Sequence, residues 1–160
     1  MAFDSEFLRD TDKPALLAMD PPELLEKTRV IVAGLGYKVH VVRDHEEFNN
    51  RFGAVHYQLL ILTDTFDSSA GPVSPSLQRL QQMPMALRRH TTVLLLGDEL
   101  QTLSPMQAFQ HSVHAVVNRQ ELALLGTETL GPIVQRAVAD GEGFLRVHRD
   151  IQQRIAQGRT

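Results

Sequence analysis

The chain has 160 residues, a suitable length for one domain with a substantial hydrophobic core. Its net charge of -3, with the histidines counted as neutral, argues against a general polyanion-binding protein. The lack of cysteine excludes disulfides, thiolate zinc sites and thiol catalysis. We find no apolar signal segment and no apolar run of membrane-spanning length, so we expect a soluble cytoplasmic protein that binds neither nucleic acid nor membrane.

Five short apolar runs along the chain predict buried strands. They are residues 15–19, 39–44, 58–63, 91–97 and 113–118. The segments between them have the apolar spacing of helices: residues 22–35, 45–53, 75–89 and 104–111, with a longer pattern from about 121 to 157. Because strands alternate with helices, we expect a three-layer α/β sandwich whose five-stranded parallel sheet is covered on both faces.

An apolar stripe near the C-terminus continues past the point where a helix covering the sheet would end. The stripe consists of Phe144, Leu145, His148, Ile151 and Ile155. We therefore expect an N-terminal tail (1–13), one domain (14–140) and a C-terminal helical extension (141–160). An isolated helix with such a stripe needs a partner surface. That surface is either its own domain or a second copy of the chain in a short coiled coil, and we favour a partner chain.

Acidic residues follow two of the predicted strands. The stretch YQLLILTDTFD, residues 57–67, runs from a buried strand into Thr63 and Asp64, and Asp20 follows the first strand. Ligands of open α/β sheets bind at the carboxyl ends of the strands. Asp20 and Asp64, with Asp67 or Asp98 as further oxygen ligands, are therefore candidates for holding Mg²⁺. The alternative is that these polar residues only mark where strands meet water.

The spacing of residues does not favour a zinc site, a serine hydrolase or a dinucleotide-binding site. The seven histidines lack the close spacing of a zinc site. The serines of the long loop at residues 65–76 lack the G-x-S-x-G pattern of a hydrolase nucleophile. Gly34 and Gly36 follow a helix and precede a strand, the reverse of a dinucleotide-binding turn, so we expect them to end the helix.

This order of segments resembles the receiver domain of bacterial response regulators, which has a flavodoxin-like fold. The best local match is PELLEKTRVIVAGLGYKVHVVRDHEEFNNRF, residues 22–52, with a first helix, a Gly-Tyr turn, a second strand and a short second helix. The resemblance covers about residues 14–140. It implies a five-stranded flavodoxin-like sandwich, here with an extended C-terminal helix.

The resemblance also implies where phosphoryl chemistry would take place. Receivers hold Mg²⁺ with two acids after the first strand and accept a phosphoryl group on an aspartate that ends the third strand. Here Asp20 matches one of the two acids, but Pro21 stands in the place of the second. The phosphoacceptor position falls on Thr63 or Asp64, depending on a one-residue register.

Four further receiver positions have lost the residue type that the family uses. Gly97 replaces the hydroxyl residue after strand four, and Asn118 replaces the lysine after strand five. Arg119 takes the place of the usual proline, and Ala115 that of the aromatic switch residue. Without the hydroxyl and the lysine, the groups that sense a phosphoryl charge are missing. These departures predict a pseudo-receiver.

The function expected from this resemblance is that of a non-catalytic protein–protein interaction module in bacterial signal transduction, without a cofactor. Its contacts would use the face formed by helix four, strand five and helix five, with Met106, Phe109 and Ala115, and a homodimer is one possible assembly. One alternative is a phosphorylatable single-domain response regulator that uses Asp64 with Mg²⁺. A second is a flavodoxin-like protein that binds a small molecule under the 65–76 loop.

Overall fold

The computed structural model describes residues 12–67, 74–84, 91–125 and 130–139. Five strands form one sheet in the order β2-β1-β3-β4-β5, and every neighbouring pair is parallel. The strands are β1 (Lys13–Ala18), β2 (Tyr37–Val41), β3 (Leu59–Thr63), β4 (Thr92–Gly97) and β5 (Ala115–Asn118). The flavodoxin-like five-stranded sheet expected from the sequence is confirmed.

Six helices within the described residues connect and cover the strands. They are α1 (Pro22–Gly34), α2 (His45–Ala54), α3 (Pro75–Gln82), α4 (Pro105–His111), α5 (Arg119–Leu125) and α6 (residues 130–139). The turn after α1 places Gly36 at a positive φ of 97°, so the glycines of this stretch end a helix, as expected. No helix in these ranges is long and apolar enough to cross a membrane.

Two helix boundaries differ from the sequence prediction. The helix expected over residues 75–89 ends at Gln82, because Met83 is extended (ψ 137°) and precedes Pro84. A residue before proline is sterically driven out of the helical region. The helix expected from about 121 begins earlier, at Arg119, directly after β5. The predicted extension over residues 141–160 lies outside the described residues, as does most of the predicted tail.

The sheet is buried on both faces, which explains the almost continuous apolar strands. Alternate strand residues such as Leu17, Ile61 and Leu94 pack with α1 and α6 in one core. Their neighbours, such as Leu16 and Leu60, pack with α2, α3 and α4 in a second core. Because all five strands are parallel, their carboxyl ends lie along one edge of this buried sheet.

Candidate functional site

The register of the sheet brings polar residues from four strands to its carboxyl edge. Ala18 pairs with Leu62, Thr63 with Leu96, and Gly97 with Asn118. The residues one or two positions after these strand ends must therefore lie near one another. They include Asp20, Asp64, Asp98 and Arg119. We refer to this group, together with Thr63, Thr65, Gly97 and Asn118, as the acidic edge.

Thr63 joins the end of β3 to the loop that follows β1. It is fully buried, and its hydroxyl donates to Oδ1 of Asp20 at 3.0 Å. The same hydroxyl accepts from the backbone N–H of Asp20 at 3.2 Å, and Thr65 donates to the same Oδ1 at 2.5 Å. One carboxylate oxygen of Asp20 thus accepts hydrogen bonds from two hydroxyl groups. These bonds link the loop after β1 to the end of β3.

Asp64 is the first residue after β3, and its carboxyl group is partly buried against β4. Its backbone N–H donates to the carbonyl of Leu96 at 2.9 Å, whereas its buried Oδ1 has no hydrogen-bond partner within the part of the chain that is described. Burial raises the pKa of Asp64, and repulsion from Asp98 and Asp20 adds to this, while attraction to Arg119 lowers the pKa. Burial, which disfavours the charged form of the carboxyl group, is the largest of these effects.

The guanidinium of Arg119 lies among the acids of this edge. It donates through Nε to Oδ1 of Asp98 at 3.2 Å, through Nη2 to Oδ2 of Asp98, and through Nη1 to the hydroxyl of Thr65 at 3.0 Å. Oδ1 of Asp20 lies 3.8 Å from Nη1. The hydrogen bond to Arg119 holds the pKa of Asp98 below its usual range. A positive charge from the chain itself therefore sits where the carboxylates converge.

Asn118, at the position of the receiver lysine, is engaged in local structure. Its Oδ1 accepts from the backbone N–H groups of Gln120 and Glu121 at 3.0 and 3.1 Å, which caps α5. Its Nδ2 donates to the carbonyls of Asp98 and Leu100 at 3.3 and 2.9 Å, which fixes the loop after β4. The side chain thus has no remaining donor for a ligand at the edge.

The metal ligands proposed from the sequence share this edge but do not form a divalent-cation site that the structure supports. Asp20 is bonded to two threonines, and Pro21 in the second acid position offers no side-chain oxygen. Asp67 accepts from the backbone N–H of His45 at 2.8 Å and so is occupied elsewhere. No cluster of three or more histidine or acidic side chains in the described ranges is placed to hold a metal. These residues therefore fit Mg²⁺ poorly.

The face expected to bind a partner carries exposed apolar side chains beside a groove. Leu103, Met106 and Phe109 are 45%, 66% and 82% exposed. The groove, of about 260 Å³, lies between α4 and α6. Its lining includes Leu103, Ser104, Ala108, Ala115, Ile133 and Ala137. Four other predicted interface residues lie outside the described residues: Phe144, Leu145, Ile151 and Ile155. Residues 68–73, part of the loop proposed to cover a ligand, also lie outside them.

The role of Arg119 does not follow from its sequence position, where receivers have a proline. The sequence signal is that three acids lie at one sheet edge without the receiver lysine, a pattern that favours a cation nearby. Thr65 was also missed, because a threonine in a loop carries no recognisable pattern.

No protein-family model and no curated protein matches the sequence. Solved structures do match by fold. A CheY-like receiver domain protein from Methanospirillum hungatei JF-1 shares 14% identity (TM-score 0.62; 83% of this chain and 98% of that one covered). CheY4 of Vibrio cholerae shares 15% (TM-score 0.60; 79% and 99%). The signal receiver domain of a signal transduction histidine kinase from Syntrophus aciditrophicus shares 19% (TM-score 0.60; 80% and 91%). The chain thus has the fold of CheY-like response regulator receiver domains.

Proposed function

We propose that this chain is a pseudo-receiver, a receiver-fold domain that serves bacterial signal transduction by protein–protein contact and catalyses no reaction. The observation that carries the proposal is the position of Arg119. Its guanidinium bonds to Asp98 and Thr65 and lies 3.8 Å from Asp20. This arginine places one positive charge among the acids and offsets part of their repulsion without a metal, and we propose a function that needs no cofactor.

The remaining positions of the acidic edge also argue against phosphoryl transfer. Burial raises the pKa of Asp64, because the charged carboxylate loses solvation at this position. Asn118 is used to cap α5, and Gly97 has no hydroxyl to offer. The charge that develops on transferred oxygens would therefore meet few donors at this edge.

We infer that contact takes place through the face that carries Leu103, Met106 and Phe109, and that a second copy of the chain is its occupant. A two-fold interface requires one surface that complements itself. Here an exposed aromatic side chain, Phe109, lies on the helix that forms one wall of the groove. Ala115, in place of an aromatic residue, leaves room in that groove. We place this signalling role in the cytoplasm.

The second candidate function is that of a phosphorylatable regulator acting through Asp64. The observation in its favour is that Asp64 directly follows β3 at the sheet edge and has an unpartnered Oδ1 among the described atoms. Retained phosphorylation would require Arg119 to leave the acids so that Mg²⁺ could enter.

Phosphorylation in solution distinguishes the two functions. We would incubate the full chain with acetyl phosphate and Mg²⁺ and measure its intact mass, with an active receiver domain as the positive control. The pseudo-receiver proposal expects an unchanged mass. A phosphoryl adduct that forms on the native chain and is lost in Asp64→Asn would overturn the proposal in favour of the second function.

A further inference from the structure

The groove between α4 and α6 is lined largely by small apolar side chains. Three of its lining residues are alanines from three different elements: Ala108 of α4, Ala115 of β5 and Ala137 of α6. Small side chains leave room for larger apolar groups from outside the domain. Phe109, the residue after Ala108, exposes its ring beside this groove. An apolar segment that docked here would remove this surface from water.

The apolar stripe of the C-terminal sequence keeps the register of the buried face of α6. Leu130, Val134 and Ala137 of α6 are buried in one core with residues of the sheet. Steps of four and three residues lead onward from Ala137 through Gly141 to the stripe at Phe144, His148, Ile151 and Ile155. Residues at this spacing share one face of a helix. The sequence therefore predicts one continuous face that begins in α6 and runs on to residue 155.

The sheet of the same domain is too short to cover this continued face. A helix rises about 1.5 Å per residue, so a helix continued from α6 would carry Ile155 about 27 Å beyond Ala137. The longest strands, β1 and β4, have six residues and span about 20 Å. Since α6 already lies along the sheet over residues 130–139, the continuation passes beyond it. Gly141 and Gly143 lower the helix propensity, so the continuation needs a surface that stabilises it.

We propose that residues 141–157 of one copy dock in the groove between α4 and α6 of a second copy, and that the exchange is reciprocal. Each chain carries one groove and one stripe, so a two-fold dimer covers both surfaces of both copies. Apolar side chains spaced four and three residues apart are those with which a helix binds a groove. Because α6 itself forms one wall of the groove, a helix that continues α6 leads away from the groove of its own chain. The inference rests on the proposed second-copy contact and names the segment that makes it.

A spin label on the C-terminal segment tests where this segment docks. The chain has no cysteine, so Gln153→Cys provides a single attachment point, two residues from Ile151 and off the stripe. We would mix the full chain carrying the label, without nitrogen-15, with the native chain enriched in nitrogen-15, at a concentration where ultracentrifugation finds the dimer. Only contacts between copies then broaden the observed amide signals. We expect selective broadening at Ala108, Ala115 and Ala137.

The outcomes separate this inference from the proposed function. A chain that stays monomeric at high concentration would refute the second-copy contact, and the inference with it. A dimer whose mixed sample shows no broadening at the groove would overturn the inference alone. Broadening that appears only when the label and nitrogen-15 are on the same chain would place the segment in its own groove, which also overturns the inference.

A charge placed in the stripe should weaken the dimer. For Ile151→Glu in the full chain we expect the dimer dissociation constant to rise about tenfold or more. Gln153→Glu adds the same charge off the stripe and is the matched control, so it should leave the constant unchanged. The amide spectrum of the sheet residues verifies that both variants keep the fold. Equal dissociation constants for the two variants would contradict the proposed docking.

Discussion

A Cβ atom added to Gly97 would lie 2.4 Å from Oδ2 of Asp64 and 2.8 Å from its Cγ. The carboxyl group of Asp64 therefore fills the space into which a side chain at the end of β4 would project. A hydroxyl residue at position 97 and the observed placement of Asp64 exclude each other. The glycine at position 97, in place of a hydroxyl residue, is thus what allows the carboxyl group of Asp64 to be buried there.

Gly97→Ala should destabilise the fold through this close approach. We expect a loss of about 1–3 kcal/mol in the free energy of unfolding, the usual cost of overpacking, measured by urea denaturation. In an Asp64→Ala background the obstructing carboxyl group is absent, so the same substitution should cost little. Equal costs in both backgrounds would show that Asp64 does not occupy this space.

Asp64→Asn should stabilise the protein at neutral pH. Because burial raises the pKa of Asp64 above its ordinary value of 3.8, its stability contribution is fully present below that value and is lost as pH rises through the folded-state pKa. Asparagine stays neutral, so its advantage over the native chain should appear as pH rises and vanish below about pH 4. Urea midpoints measured between pH 3 and pH 8 test this expectation.

Asp98→Asn should show the opposite pH dependence. Arg119 lowers the pKa of Asp98, so the contribution of Asp98 is present above its ordinary pKa and is lost as pH falls through the folded-state value. The Asp98→Asn variant should be less stable than the native chain at pH 7 and approach it in acid. If both asparagine variants responded in the same direction, the charge arrangement described for the acidic edge would be wrong.

Asn118→Lys, which restores the residue type of receivers, should cost stability. It removes the cap of α5 and the two hydrogen bonds that hold the loop after β4, a loss of about 1–2 kcal/mol. Asn118→Ser keeps a capping oxygen and loses the amide donor without adding a charge, so its loss should be smaller. Thermal or urea unfolding of both variants measures the difference, and a neutral lysine substitution would contradict the structural role.

Much of the fold could be predicted from the sequence because the strands are buried on both faces. Runs such as 58–63 and 91–97 have nearly no polar interruption, and the parallel sheet follows from the helices between them. The boundary of a helix is harder to predict where its end depends on a single steric contact. The stop of α3 before Pro84 is such a case, since the apolar spacing continues past it.

The acidic edge could be predicted in its residues but not in its contacts. Strand ends placed Asp20, Asp64 and Asn118 at one edge of the sheet, as the register shows. No pattern reveals that a side chain from the next position, Arg119, turns back to reach Thr65, 54 residues away in sequence. Long-range polar contacts depend on rotamers chosen in the folded state, and residue spacing does not encode them.

Phe109→Glu should weaken self-association if the face around α4 binds a second copy. The ring is 82% exposed, so the change should leave the monomer's stability unaffected while placing a charge in the contact. We expect the dimer dissociation constant from analytical ultracentrifugation to rise at least tenfold, about 1.4 kcal/mol. Gln110→Glu adds the same charge at the next exposed residue of α4 and is the control. A native chain that stays monomeric at high concentration would contradict the second-copy assignment.

We propose that Arg119 occupies the acidic edge with its own positive charge and so opposes binding of a metal or a phosphoryl group there. The most direct measurement is a ¹H–¹⁵N NMR titration of the native chain with Mg²⁺ and then beryllofluoride, a mimic of aspartyl phosphate. We predict no shifts at Asp20, Asp64 or Gly97 at millimolar concentrations. Arg119→Ser should make these amides respond to Mg²⁺, whereas Arg29→Ser, which removes a charge from the exposed side of α1, should not. Saturable shifts in the native chain that disappear in Asp64→Asn would contradict the claim.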